Sequence, residues 1–366
     1  MTALWDQYRP EEAEFAFRAK SLAQARAWQK KARKALAELV GFGDERKSGR
    51  KWGLAPFSPF EKGACPRFSA SESVDRGDYV RHKLLLTTAP RTLMPVYVLV
   101  PKQSPLRDGR GRLPAVLAFH GHGYGVKDIV GLWEDGTPRQ CADGYHKDFA
   151  VALCRRGFLV AAPEISCFGE RQNDFGYLAP LGSPVPSTCA HTSALAWHLG
   201  GTALGMRVRD ARRLVDYLAT RPDVDISRLG AMGISGGGMH TLFSTCLDER
   251  IKACVVSGYF CTFRDSILAM SHCWCNFVPG LSRMGEMYDL AGLVAPRPML
   301  VEAADRDNIF PIAAVRKSLE KARAIYRVFG QSDRVEADLF EGRHEISGRL
   351  AYDFLAKHFA IAPRFA

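Results

Sequence analysis

Ser235 stands in Gly233-Ile234-Ser235-Gly236-Gly237-Gly238, after the apolar run 229–234 and before residues 239–246, which read as a helix. A serine held between a strand and a helix sits on a tight turn with strained backbone angles. The positions two before and two after it then need minimal side chains, and Gly233 and Gly237 supply them. The chemistry such a turn permits is nucleophilic. Its hydroxyl is lifted clear of the sheet, and the N–H of Gly236, at a helix N-terminus, points toward a developing oxyanion. The rival reading, a glycine-rich phosphate loop, lacks the Gly-Lys-Ser/Thr ending that grips phosphate and magnesium.

A serine hydroxyl becomes a good nucleophile only when a base takes its proton and a carboxylate orients that base. Downstream of Ser235 lie His240, His272, His344 and His358. His240 falls in the helix after the serine and His358 in the last helix, where packing or solvation accounts for them. His344, in Phe340-Glu341-Gly342-Arg343-His344-Glu345, follows the last apolar run on a glycine-containing loop and is the expected base. The acid is expected after the run 299–302. Glu302 is still inside that run, and Asp305 and Asp307 share the loop 303–311. Spacing alone does not separate these two; Asp307 is preferred and Asp305 second, and an aspartate there could also cap the following helix. A second oxyanion donor is expected in Phe119-His120-Gly121-His122-Gly123, as the N–H of His122, with Gly121 and Gly123 allowing close backbone approach. Two histidines among glycines could hold a metal, but no third ligand of suitable spacing accompanies them.

The elements that must position these groups are legible as pattern. Residues 21–40 repeat Leu22, Ala25, Ala32, Leu36 and Leu39 at helical spacing, and Gly41 stands at the C-cap. Residues 41–65 have no period and read as a loop or belt. Runs 79–88 and 93–100 read as an antiparallel hairpin. Apolar runs 115–119, 158–162, 229–234, 253–256, 299–302 and 335–340 then alternate with amphipathic helices, as a mostly parallel sheet with helices on both faces requires. One helix is marked by Val208, Ala211, Val215 and Leu218. Another is marked by Ile312, Val315, Leu319, Ala322 and Tyr326 behind Pro311, and a last follows Ser347. The expected organisation is an N-terminal helical extension and belt over 1–78 and a catalytic domain over 79–366, with cap-like insertions near 121–144, 165–200 and 259–289. Irregular stretches of that length usually cap or line a site.

Composition narrows the class. The chain has 366 residues, 47% hydrophobic and 24% charged, a globular balance. No apolar run approaches the roughly 20 residues that span a bilayer, and residues 1–9 carry no secretory pattern, so no membrane association and a cytoplasmic address are expected. The formal charge of +11 is scattered, with short clusters at 30–34 and 46–51, and reads as a solvated basic surface rather than a nucleic-acid site. Ten cysteines, spread from Cys65 to Cys275, read as reduced thiols. Cys273 and Cys275 with His272 lack the paired spacing of a zinc site, so soft side chains buttressing a pocket are expected there, and neither a metal nor a cofactor.

Taken together, Phe-His-Gly-His-Gly (119–123), Pro-Glu-Ile-Ser-Cys-Phe-Gly-Glu-Arg (163–171), Arg-Pro-Asp-Val-Asp-Ile-Ser-Arg-Leu-Gly (221–230), Gly-Ile-Ser-Gly-Gly-Gly (233–238), Ala-Pro-Arg-Pro-Met-Leu (295–300) and Asp-Asn-Ile-Phe-Pro (307–311) make the chain from about Leu84 onward resemble the α/β-hydrolase superfamily. The branch it resembles holds dienelactone hydrolases and acetyl xylan esterase-like carboxylesterases. The resemblance implies an α/β-hydrolase fold and a serine esterase acting on a small-molecule ester through Ser235, Asp307 and His344, with the acid placed on Asp307 by the short apolar stretch and proline that follow it. His120, Arg171 and Trp274 are candidate substrate contacts; the plain alternative for Arg171 is an ion pair with Glu164 or Glu170. The sequence departs from the acetyl xylan esterase pattern at Pro163-Glu164 and over 271–276. A prolyl-type serine peptidase is the second reading, disfavoured because the first 80 residues are too few and too helical for a β-rich accessory domain. A non-catalytic ligand-binding relative is the third. Homo-oligomerisation is left open.

Overall fold

A run such as Leu-Pro-Ala-Val-Leu-Ala-Phe at 113–119 carries no charge and is buried at every position, a pattern that suits a strand covered on both faces. In a computed structural model of the chain, which describes residues 2–41 and 67–360, nine strands form one sheet. They are β1 (Phe68–Asp75), β2 (Tyr79–Ala89), β3 (Thr92–Pro101), β4 (Leu113–Phe119), β5 (Leu159–Pro163), β6 (Val224–Ile234), β7 (Ala253–Ser257), β8 (Met299–Ala304) and β9 (Val335–Phe340). Their order is β1-β2-β3-β5-β4-β6-β7-β8-β9. The first three are antiparallel, β3 meets β5 antiparallel, and β5, β4 and β6 to β9 run parallel.

The expected hairpin is β2–β3. The strand β1 lies after the 41–65 belt, within the 1–78 span given to the extension, where no strand is expected. Its sequence, Phe-Ser-Ala-Ser-Glu-Ser-Val-Asp, is almost wholly exposed at the sheet edge, so no buried face wrote an apolar alternation into it. The belt read over 41–65 lies, from residue 42 on, outside the described residues.

The helices are α1 (Thr2–Trp5), α2 (Leu22–Leu39), α3 (Phe149–Arg155), α4 (Thr188–His198), α5 (Ala203–Thr220), α6 (Gly236–Leu247), α7 (Ala291–Val294), α8 (Ile312–Val328) and α9 (Ala351–Phe359). Alternation along β6 shows how they cover the sheet. Leu229 and Ala231 pack with Leu214 and Leu218 of α5, while Met232 and Ile234 face the other way, into a cluster with Phe149 of α3 and Leu355 of α9.

The extension is bound into this body. Ser21 caps α2 by accepting from the Gln24 N–H, and Gly41 closes it at φ +78°. The buried Ala32, Ala35 and Leu36 join the core around α6 and α7. Gln29 donates to the carbonyls of Gly292 and Ala295 (2.7 and 2.6 Å), and Arg33 to those of Cys246 and Leu293 (2.9 and 3.1 Å), satisfying carbonyls left open where helices end. No helix among the described residues is long and apolar enough to cross a membrane.

Candidate active site

Ser235 joins β6 to α6 at φ +58°, ψ −120°, a conformation L-residues rarely adopt. The glycines on either side are required by contact. A Cβ on Gly233 would lie 2.5 Å from the Gly237 carbonyl oxygen, and one on Gly237 would overlap the Phe119 carbonyl. The Ser235 N–H donates to the Ser257 carbonyl at 3.0 Å, tying the turn to the end of β7. Gly236 opens α6, where N–H groups have no acceptor within the helix.

Beyond β8 and β9 the loops meet. His344 Nδ1 lies 2.7 Å from Asp307 Oδ2, and Asp307 Oδ1 accepts from the N–H groups of Ile309 and Phe310 (2.9 and 3.1 Å). The buried carboxylate is thus fully engaged and holds the proton of His344 on Nδ1. His344 Nε2 has no protein partner. Asp305 is exposed and does something else: it accepts from the Gly342 N–H at 3.0 Å, holding the loop that carries His344. Of the two carboxylates that spacing leaves open, Asp307 is the one in contact with His344. A Cβ on Gly258, whose φ is +48°, would lie 3.0 Å from His344 Cε1 and 3.3 Å from Ile234 Cγ1, so the imidazole passes close beside the residue preceding Ser235.

On the other side of the serine, the loop after β4 is held by residues the sequence did not single out. The Gly121 N–H donates to His146 Nε2 (2.8 Å), and His146 Nδ1 meets Asp128 Oδ2 (2.9 Å). Arg139 binds Asp128 Oδ1 (3.2 Å), the Tyr124 hydroxyl (2.9 Å) and Asp148. Burial lowers the His146 pKa more than Asp128 raises it, so the ring stays neutral. Burial alone would raise Asp128, but His146 and Arg139 outweigh it and hold the carboxyl below its ordinary range. The Tyr145 hydroxyl donates to the His122 carbonyl, and its ring stacks 5.5 Å from His344. Gly121 fits between that hydroxyl and Ser235 Cβ, which a Cβ there would approach to 3.2 Å. His122 keeps an exposed side, yet desolvation on its other sides, then the Arg207 charge, push its pKa down to about 4.

The candidate substrate contacts fare differently. His120 departs from expectation: it is 1% exposed, its Nδ1 meets the Gly121 carbonyl (2.7 Å) and its Nε2 accepts from the Ile165 N–H (3.0 Å), so it braces the loop from inside. Arg171 also points to protein, at Asp210 Oδ2 (2.8 Å) and the Glu164 carbonyl (3.0 Å). The ion pair is with Asp210, not with Glu164 or Glu170; Glu170 instead binds Lys83 at 2.7 Å. Trp274 is exposed and stacks on Trp197, ring centres 5.6 Å apart. His240 is buried, stacked on Phe119 and bonded to the Arg207 carbonyl. His272, unassigned by spacing, reaches Ser266 Oγ (3.3 Å) and packs on Phe310, whose ring in turn stacks on His344.

No protein-family profile matches the chain. It is 28% identical over 269 residues to YtaP of Bacillus subtilis (strain 168), a protein provisionally named a hydrolase, covering 71% of this chain and 80% of that one. Among solved structures, a Bacteroides fragilis NCTC 9343 protein provisionally named an acetyl xylan esterase superposes with TM-score 0.69 at 19% identity, over 92% of this chain and 80% of that chain. A glucuronoyl esterase from Solibacter usitatus gives 0.62 at 15% identity, over 95% of both chains. Acetyl xylan esterase 1 from Thermoanaerobacterium sp. JW/SL YS485 gives 0.53 at 16% identity, over 95% of this chain and 97% of that one. With its mostly parallel nine-stranded sheet and these structural neighbours, the chain has the α/β-hydrolase fold.

Proposed function

We propose that the chain hydrolyses carboxylic esters through Ser235, with His344 as base and Asp307 as its orienting acid. The observation that carries this is the fixed Asp307–His344 pair, its Nε2 unclaimed, beside a serine held at φ +58°. The His344 Nε2 takes the hydroxyl proton as Ser235 Oγ attacks the ester carbonyl. Asp307 keeps the Nδ1 tautomer and stabilises the imidazolium that forms. The N–H groups of His122 and Gly236 bind the oxyanion, aided by the positive end of α6. His344 then returns its proton to the departing alkoxide, and water, deprotonated by the same ring, releases the acid and regenerates Ser235.

The names of the structural neighbours, acetyl xylan and glucuronoyl esterases, and of YtaP as a hydrolase agree with this reaction class. The substrate is read as a small-molecule ester; its acyl and alcohol parts are to be found with a panel of p-nitrophenyl esters of graded acyl length, acetylated sugars and a lactone. Wild type should turn over at least one of these and take a fluorophosphonate label, whereas Ser235→Ala should fold, refuse the label and lose about 10⁴–10⁶ in kcat. Labelling or esterase activity that survives in Ser235→Ala would remove this serine from the mechanism.

A further inference from the structure

Arg207 of α5 is 1% exposed, and among the described residues no carboxylate pairs with it. Its Nη2 donates to the Ser166 carbonyl (3.2 Å) and lies 3.7 Å from Cys189 Sγ, and its Nε lies 3.5 Å from Ser166 Oγ. A buried guanidinium without an anion is costly, since desolvation of an unpaired ion amounts to several kcal/mol. The sulfur it reaches belongs to a cluster. Cys189, at the start of α4, stands with Cys273 and Cys275 from the 259–289 segment, their three Sγ atoms all within 4.8 Å of one another. Cys189 and Cys273 are only 2.8 Å apart. The Cys273-x-Cys275 spacing looked too sparse for a metal because its third partner is 84 residues away in sequence.

We propose that Cys189, Cys273 and Cys275 hold one thiophilic divalent cation of the zinc class, with Arg207 as the charge partner of the metal–thiolate group. Three thiolates around a dication leave one net negative charge, which the guanidinium cancels, so the buried assembly is neutral. These three sulfurs leave the fourth position of a tetrahedral zinc ion to a further donor. Binding displaces the thiol protons to solvent and changes no oxidation state. The metal pins α4 to the segment that carries His272 and Trp274, adding to the Trp197–Trp274 stack across the same boundary. Neutral thiols at these three positions, or a Cys189–Cys273 disulfide, would not supply the three thiolates that make this balance.

The test uses the full chain, purified in reductant, loaded with zinc, desalted and assayed for metal. About one zinc per chain is expected, retained in Ser235→Ala, so the outcome is independent of the proposed hydrolysis. It should fall below about a tenth of that in Cys189→Ser and in Cys275→Ser. Cobalt(II) in place of zinc should give the intense near-ultraviolet absorption of thiolate-to-metal charge transfer. Should a variant fail to fold, wild type suffices: an organomercurial thiol reagent should release the bound zinc to a chromophoric chelator. Wild type that retains no zinc after loading overturns the site. So does zinc that the mercurial does not release. A denatured thiol count two short of the ten in the sequence, without metal, overturns it in favour of a Cys189–Cys273 disulfide.

Discussion

His344 bonds to Asp307 at 2.7 Å on one side of Ser235, and His146 bonds to Asp128 at 2.9 Å on the other. Each imidazole turns Nδ1 to a carboxylate and leaves Nε2 to decide what the ring does. His146 spends its Nε2 on the Gly121 N–H inside a site closed to water, with Arg139 completing the shell around Asp128. His344 spends its Nε2 on nothing in the protein and sits where its ring borders the serine turn. The same two side chains therefore serve as a brace in one place and offer a proton acceptor in the other. What separates them is the Gly121 amide, which only the His146 ring meets.

The largest effect that sharpens this contrast comes from Asp307→Asn. An amide can donate to Nδ1 and fix the wrong tautomer, so kcat should fall about 10³–10⁴-fold with little change in melting temperature. Near-normal turnover would mean that the His344 pair is as structural as the other one. An intermediate effect is expected from His146→Ala, which orphans the buried Gly121 N–H. It should cost about 1–3 kcal/mol in denaturant unfolding and about 10–100-fold in kcat through the loosened oxyanion loop. KM should change less and fluorophosphonate labelling should persist. If labelling is abolished while the fold survives, His146 has a chemical role and the contrast collapses.

The smallest effect concerns charge beneath the two sides. Asp128 is held ionised, whereas Glu302 on β8, fully buried and accepting from the Gly348 N–H, is pushed up to about 7 by burial. Between the unfolded carboxyl value of about 4.3 and that folded value, the native state holds a proton the unfolded chain has released. Glu302's share of stability therefore declines as pH rises through this window and is constant above it. Glu302→Gln should raise the melting temperature relative to wild type more at pH 8 than at pH 5. An equal offset at both pH values would show that Glu302 titrates alike in both states.

Much of this arrangement could be read from residues close in sequence. Ser235 announces itself through Gly233 and Gly237, and the parallel strands through uncharged runs that had to be buried. His344 and Asp307 stand on loops whose place follows from the order of strands. What pattern does not carry is partnership at long range: Gly121 with His146, Arg171 with Asp210, Cys189 with Cys273. In sequence, His120 is only a candidate contact for substrate. Only the fold reveals that its ring turns inward to the Gly121 carbonyl and the Ile165 amide. The edge strand β1 escaped because an exposed strand needs no apolar face.

The backbone of Ser235 has a consequence for the history of the molecule. A non-glycine residue in that conformation costs on the order of 1–3 kcal/mol, and glycine would occupy it without strain. Selection acting on heat resistance alone thus pulls this position toward glycine, away from any residue with a hydroxyl. That a serine stands there, where glycine would have been the easier occupant, marks the turn as held against the gradient of stability by a demand of another kind.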